Sequence, residues 1–382
     1  MTLTVRAITS DQHRAWVATR PSVSFLQLPE WGRVKAGWRS ESLGWFRGSR
    51  LVGAGLALYR PVPKLPQRSL AYLPEGPDID WLGSEHPDLQ LADWLTPLAQ
   101  HCRSRGAFQA KIGPPVALRR WDAETVKAAL AARAESPAAP DRLSAVTPDW
   151  TSEPALRMVR QLRALGWTQE PSGGAGFGDV QPRYVFQLPL ADRTLDDVFA
   201  GFNQLWRRNI RKAEKSGVVV TPGDRADLAA FHPVYVETAA RDHFTPRSLP
   251  YFEGMWDALN SQGQRLHLYL AHHDGHLAAA TLMVVVGDHA WYSYGASTTA
   301  DRDVRPSNAL QWRMISDAHA LGCRTYDLRG IADTLDPAHH LQGLIQFKVS
   351  TGGYAQEYAG EWDLTLRALW ARGFRAYQSR KG

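Results

Sequence analysis

A similar succession of segments occurs twice in this chain, and that duplication constrains the fold more than any single motif does. The first copy has a strand pair within Leu43-Gly-Trp-Phe-Arg-Gly-Ser-Arg-Leu-Val-Gly-Ala-Gly-Leu-Ala-Leu-Tyr59, then Tyr72-Leu-Pro-Glu-Gly-Pro-Asp-Ile-Asp80. A helix follows from about Asp88 to Arg105, stopped by Gly106, and Phe108-Gln-Ala-Lys-Ile112 alternates as a short strand. The second copy runs from Leu266 through the Asp274-Gly275 turn to Val286, then Trp291-Tyr-Ser-Tyr-Gly-Ala-Ser297. Its helix spans about Pro306 to Leu321, and Arg324-Thr-Tyr-Asp-Leu328 follows as a strand. Pro306 suits a first helical turn and Gly322 a left-handed cap. Two related α/β modules, each a mixed sheet with helices, are expected, and 382 residues exceed what one core ordinarily serves.

Between the copies, residues 131–140 read as a helix end or a linker, and 148–154 as a boundary. Ser172-Gly-Gly-Ala-Gly-Phe-Gly178 reads as a flexible loop. It lacks the Gly-Lys-Ser/Thr ending of a phosphate loop and precedes the strand-like Tyr184-Val-Phe-Gln-Leu188. No window supplies the roughly 18 uninterrupted apolar residues of a membrane span. Met1-Thr-Leu-Thr-Val-Arg6 leads straight into polar sequence, so a cytoplasmic location is expected. Cys102 and Cys323 are expected as buried free thiols.

The 44 basic against 38 acidic side chains give a net charge of +6, which favours polyanionic partners without identifying one. Its location says more. In Asn203-Gln-Leu-Trp-Arg-Arg-Asn-Ile-Arg-Lys-Ala-Glu-Lys-Ser-Gly217, the cations Arg208, Arg211, Lys212 and Lys215 fall at i, i+3, i+4 and i+7. Trp206, Ile210 and Ala213 form a separate apolar stripe. Only Glu214 offers an acid for pairing on that helix, so the basic face suits phosphate binding, with a plain solvated face as the alternative.

Arg50-Leu-Val-Gly53-Ala-Gly55 has the loose spacing of an acyl-CoA phosphate loop but leads into a strand rather than a helix, so CoA is not expected. His272-His273 and His339-His340 are adjacent rather than spaced as ligands, and no metal site is expected. No hydrolase elbow is present. Lys348 follows the apolar run ending in Phe347 and precedes Gly352-Gly353, where a substrate backbone has room to approach. A lysine so placed either enters a partly closed site to stabilise negative charge or snorkels at the surface.

These two segments, with Trp291-Tyr-Ser-Tyr-Gly-Ala-Ser297, Pro306-x-x-x-Leu-Gln-Trp312 and Tyr326-Asp-Leu-Arg-Gly-Ile331, resemble the Fem family of peptidoglycan-branch aminoacyltransferases. The resemblance spans nearly the whole chain, from Leu28-Pro-Glu-Trp-Gly-Arg-Val-Lys35 to Glu361-Trp-Asp363. It implies an α/β (α+β) fold of two N-acetyltransferase-like domains, residues 1–149 plus 359–382 and residues 150–358. Charged heptads are missing, so it implies the compact form without a coiled-coil arm.

The function implied is transfer of an amino acid, glycine or another small residue, from aminoacyl-tRNA onto a stem-peptide amine of a peptidoglycan precursor, lipid-linked or UDP-linked. Aminoacyl-tRNA is then a co-substrate and no cofactor is needed. A monomer is implied, with peripheral contact at the inner membrane face as an option. By the same resemblance Lys348 serves the reaction centre, and Asp80 is a candidate proton acceptor. Lys35, Arg208 and Arg211 hold the precursor's phosphates or sugar, and Tyr72 lies along the cleft. Tyr294, Phe347, Tyr358 and Glu361 carry over as substrate contacts. Glu75 stands where the family often has a basic residue. Two other readings remain open, a tRNA-dependent amide-forming enzyme of natural-product assembly and a non-enzymatic scaffold that binds tRNA or precursor.

Overall fold

The computed structural model describes residues 3–63, 65–169 and 180–371, so the glycine-rich Ser172–Gly178 segment lies outside the described residues. The chain divides into two compact units. The first is built from the described parts of Met1–Arg120, Trp150–Arg183 and Glu357–Gly382, the second from Trp121–Asp149 and Tyr184–Gln356. Each has its own hydrophobic core.

Two segments fall on the other side of the boundary expected from the sequence. Residues 121–149 join the second unit because Trp121, Val126 and Leu130 are buried in its core. Residues 150–183 join the first, since the helix Glu153–Ala164 places Ala155, Met158, Val159 and Leu162 in that core, a stripe at helical spacing. Ser152 starts this helix by accepting a hydrogen bond from the Ala155 backbone N–H.

In the first unit, six strands lie in the spatial order Thr4–Ala7, Arg39–Arg47, Arg50–Val62, Leu65–Leu73, Ala107–Ile112 and Trp362–Thr365. All neighbours are antiparallel except Leu65–Leu73 and Ala107–Ile112, which are parallel. Between these two the chain crosses over through the helix Leu91–Ser104. Trp45 and Trp94 fill the core, and the Trp45 indole N–H donates to the Trp94 carbonyl at 2.8 Å, so the buried ring carries no unmet donor.

The second unit repeats the plan. Val219–Gly223, Leu266–His273, His276–Val286 and His289–Ser297 are successive antiparallel neighbours. The helix Pro306–Ala320 then crosses to Thr325–Gly330, parallel to His289–Ser297. In each unit the strand after the crossover takes an antiparallel neighbour from a distant part of the chain, Trp362–Thr365 in one and Tyr184–Pro189 in the other. The duplication read from the sequence is therefore real, and both modules share one strand order. Pro306 opens its helix as expected, and Gly322 has φ +79° just beyond its end.

Among the described residues the longest helix has 15 residues, so no helical arm is present. None is long and apolar enough to cross a membrane. Cys102 and Cys323 are buried and free, as expected.

Candidate functional site

The parallel ladder of the second unit stops early. His289, Ala290 and Trp291 pair with Thr325, Tyr326 and Asp327, and beyond that point the two strands have no further register with each other. A bulge on each strand accounts for the break. One extra residue on the Thr325–Gly330 strand separates its pairings at Asp327 and Gly330, and one on the His289–Ser297 strand separates those at Ser293 and Ala296. Arg329 (φ +63°) and Tyr294 (φ +50°) lie within the two bulges in the left-handed region, which side chains other than glycine rarely adopt. Strain of this kind concentrates at ligand sites. The Tyr294 hydroxyl lies 3.0 Å from that of Tyr251.

Lys348 sits at the first of these bulges. It lies on the helix Gln342–Val349, and its Nζ donates to the Gly330 carbonyl at 2.6 Å and to the Arg329 carbonyl at 3.4 Å. An ammonium has three N–H groups, and among the described residues the third has no acceptor. At 3% exposure this is a buried cation rather than the snorkelling residue that spacing alone allowed.

Burial pushes its pKa down to about 7, with Asp327 opposing and Arg329 reinforcing. In the unfolded chain the ordinary value of 10.5 returns, so between about pH 7 and 10 the unfolded state holds one more proton and stability rises with pH. Relative to Lys348→Met, the wild type should therefore gain up to about 1.4 kcal/mol per pH unit in that window. Urea unfolding of both proteins across the range checks this. Parallel curves would mean Lys348 keeps its ordinary pKa.

Asp327 completes the buried cluster. Its carboxylate accepts from the Arg329 backbone N–H at 2.5 Å and from Gln187 Nε2 at 3.0 Å, and His289 Nε2 lies 3.5 Å away. Burial alone would raise its pKa, but His289, Arg329 and Gln187 outweigh that and leave it below the usual value. Gln187 in turn accepts from the Tyr354 hydroxyl at 3.2 Å. Sequence reasoning passed over Asp327, although a charged residue inside the apolar strand Thr-Tyr-Asp-Leu was the available signal.

The glycines after Lys348 have a different purpose from the one expected. A Cβ on Gly353 would stand 2.0 Å from the Gln187 carbonyl oxygen, and one on Gly352 (φ +77°) 2.4 Å from that of Gly201. Their bareness admits the protein's own backbone, not a substrate's. Gly353→Ala should cost at least about 1–3 kcal/mol, the scale of overpacking. An unchanged urea midpoint would show that this contact gives way freely.

The basic helix is as the sequence implied. Asn203 caps it by accepting from the Trp206 N–H at 2.8 Å, and Trp206, Ile210 and Ala213 are buried. Trp206 packs 5.0 Å from the Phe347 ring and donates its indole N–H to the Phe347 carbonyl at 3.0 Å. Phe347 thus anchors the basic helix to the helix of Lys348, and its role is that of a brace. On the outer face Arg208, Arg211, Lys212 and Lys215 are exposed, and among the described residues none makes an ion pair. With Asp196 as the lone acid in the lining, they border an open groove of about 870 Å³.

The first unit corrects several expectations. Asp80 is 8% exposed and spends both oxygens on its own loop, accepting from the backbone N–H groups of Ser84, Glu85 and His86 at 2.6–2.9 Å. A carboxylate so occupied organises a turn and is a poor proton acceptor. Tyr72 and Glu361 are buried and bonded to each other, the hydroxyl donating to Glu361 Oε1, so neither lines an open groove. Burial, then Glu361, raises the Tyr72 pKa well above its ordinary value. Tyr358 is half-buried and donates its backbone N–H to the Arg183 carbonyl at 2.8 Å. Lys35 ends the short helix Trp31–Val34, with Nζ 5.6 Å from the Trp31 ring centre. Gly53 and Gly55 lie inside a strand, where they leave room for the Pro77–Ile79 segment, so the CoA-like spacing is packing.

Residues 8–276 and 271–378 match the model of the FemAB family. Lipid II:glycine glycyltransferases of Staphylococcus aureus strains MRSA252 and USA300 are each 25% identical over 427 residues, covering 94% of this chain and 92% of theirs. That aligned length exceeds the 382 residues here, so those relatives contain insertions this chain lacks. Among solved structures, FemX superposes with a TM-score of 0.76 at 23% identity, covering 96% of this chain and 98% of that one. A tandem GNAT protein from the clavulanic acid biosynthesis pathway gives 0.53 at 12%, covering 95% and 98%.

Proposed function

The chain belongs to the FemAB family, and from that premise we propose that it transfers glycine from glycyl-tRNA to a stem-peptide amine of a lipid-linked peptidoglycan precursor. The glycine and the lipid-linked acceptor follow the names of its Staphylococcus aureus relatives. The observation that carries the proposal is the basic helix, four exposed cations without ion pairs, braced through Trp206 and Phe347 to the helix of Lys348. Both substrates of such a reaction are phosphate-rich, and an uncompensated cationic face supplies charge-assisted bonds to phosphate.

The chemistry is aminolysis of an ester that is already activated, so neither a cofactor nor a covalent enzyme intermediate is required. The neutral acceptor amine attacks the aminoacyl carbonyl carbon and a C–N bond forms. The carbonyl electron pair moves onto oxygen. On collapse the C–O bond to the tRNA ribose breaks, and the proton lost by the attacking nitrogen ends on the ribose oxygen. The protein must hold two large substrates in line and stabilise one developing negative charge. In this proposal Lys348 supplies the cation, its third N–H being the donor for the oxyanion. Asp80 takes no part, so the proton passes directly or through a substrate group.

Incubating the protein with mixed charged tRNAs and, separately, lipid-linked and nucleotide-linked precursors tests this by product mass. A glycine increment on the lipid-linked precursor is the expected result. An increment on the nucleotide-linked precursor alone would overturn the acceptor assignment, and no increment on either would overturn the function.

A further inference from the structure

We propose that His273, His276 and Asp301 form a binding site for a borderline divalent cation, with Zn²⁺ the best-suited ion, at the tip of a hairpin in the second unit. His273 and His276 flank the Asp274-Gly275 turn and are directly opposed across it. Both turn residues have positive φ, 48° and 81°. Asp301 arrives from the loop that leads to the helix Pro306–Ala320. Its Oδ1 lies 3.0 Å from His273 Nδ1 and 3.2 Å from His276 Nε2, and the three ligand atoms all fall within 4.8 Å of one another. Zinc bonds to nitrogen and oxygen of about 2.0–2.2 Å at tetrahedral angles set neighbouring ligand atoms about 3.3 Å apart. The two carboxylate–histidine spacings are close to that. Two imidazoles and one carboxylate are a donor set for zinc and its neighbours rather than for calcium or magnesium.

The surroundings also suit a bound metal. Asp301 is 7% exposed, and its second oxygen accepts from Thr298 Oγ1 at 2.9 Å, which orients the first toward the histidines. On the far side of the His273 ring, Nε2 lies 3.7 Å from Oδ2 of the exposed Asp274, an ion pair without a hydrogen bond. The His276 side chain is 57% exposed, which leaves an entry path and room for water as a fourth ligand. Among the described residues no other trio of histidine, cysteine or carboxylate meets in this way. His272-His273 and His339-His340 lack ligand spacing along the sequence, but His273 and His276 become neighbours through the turn. A bound ion would fasten the hairpin to the loop following the strand that carries Tyr294, as a structural brace outside the transfer chemistry.

Calorimetric titration of the metal-stripped, untagged full chain with Zn²⁺ at neutral pH tests this. One equivalent should bind, and His276→Ala and Asp301→Asn should each weaken it by at least about 10–100-fold, the loss seen when even an outer partner of a ligand is removed. His276 is exposed, so its variant tests the site without threatening the fold. A His339→Ala/His340→Ala variant should bind as the wild type does, and Zn²⁺ should raise the melting temperature of the wild type but not of His276→Ala. Absence of saturable binding, binding retained in both site variants, or binding lost with His339 and His340 would each overturn the proposal.

Discussion

Replacing Lys348 with alanine is expected to slow transfer by about 100-fold or more, the scale for loss of one oxyanion donor, while both cores stay folded. The expectation rests on a buried ammonium with only two of its three N–H groups satisfied, held where two bulged strands lose register. Keeping a lysine here is costly, since burial disfavours its charged form even with Asp327 nearby. Lys348→Met is the companion variant, because it keeps most of the side-chain volume and removes the donors. It should lose activity to the same degree as alanine with less change in melting temperature. Lys348→Arg should not restore the rate, because a planar guanidinium does not fit a seat shaped for a point charge between two carbonyl oxygens. Single-turnover rates at saturating substrates, beside circular dichroism, decide the matter. A near wild-type rate in folded Lys348→Met would remove Lys348 from the reaction.

The second large effect is expected at the basic helix. Arg208→Ala and Arg211→Ala should each weaken binding of a phosphate-bearing substrate by about 1.5–3 kcal/mol, roughly tenfold to a hundredfold in Kd. Neither guanidinium has an ion pair among the described residues, so removing either leaves no buried acid unpaired, and stability should be nearly unchanged. Raising the salt concentration should weaken wild-type binding more steeply than that of the double variant, because fewer counterions are released when two cations are gone. Unchanged affinity and unchanged salt dependence in the double variant would make this an ordinary solvated face. Lys127, paired at 2.7 Å with the exposed Glu124 on the outer face of the helix Ala123–Glu135, is a suitable control position.

Much of the fold was legible because its signals are local. The Asp274-Gly275 turn, the proline and glycine that bracket the Pro306–Ala320 helix, and the alternation of Phe108 to Ile112 each depend on a few neighbouring residues. What escaped was long-range. The family resemblance places residues 359–382 in the first domain, and Trp362–Thr365 does complete the first sheet, but nothing in the segment's own sequence says which sheet edge it joins. Trp121 and Met158 look equally apolar, yet one enters the second core and the other the first, which is why the expected boundary was displaced.

The site divides along the same line. The stripe of Trp206, Ile210 and Ala213 and the cations opposite follow from helical spacing alone. Asp80 looked available because the backbone N–H groups that occupy it leave no trace in side-chain identity. Tyr72 and Glu361, far apart in sequence, satisfy each other in the interior. His273 and His276 were within reach of sequence reasoning, since a two-residue turn makes its flanking residues opposite partners, but Asp301 arrives through tertiary structure.

The central claim, that the acyl group comes from tRNA as an ester and ends as an amide, is tested most directly by following the acyl group itself. Glycyl-tRNA labelled in the glycine would be mixed with lipid-linked precursor and the purified protein, without ATP or CoA. The account predicts that label leaves the tRNA and appears on the precursor in equal amount, in a bond that survives the mild base that cleaves aminoacyl esters. Label that remains on the tRNA, or reaches the precursor only when an acyl-CoA is supplied, would contradict it.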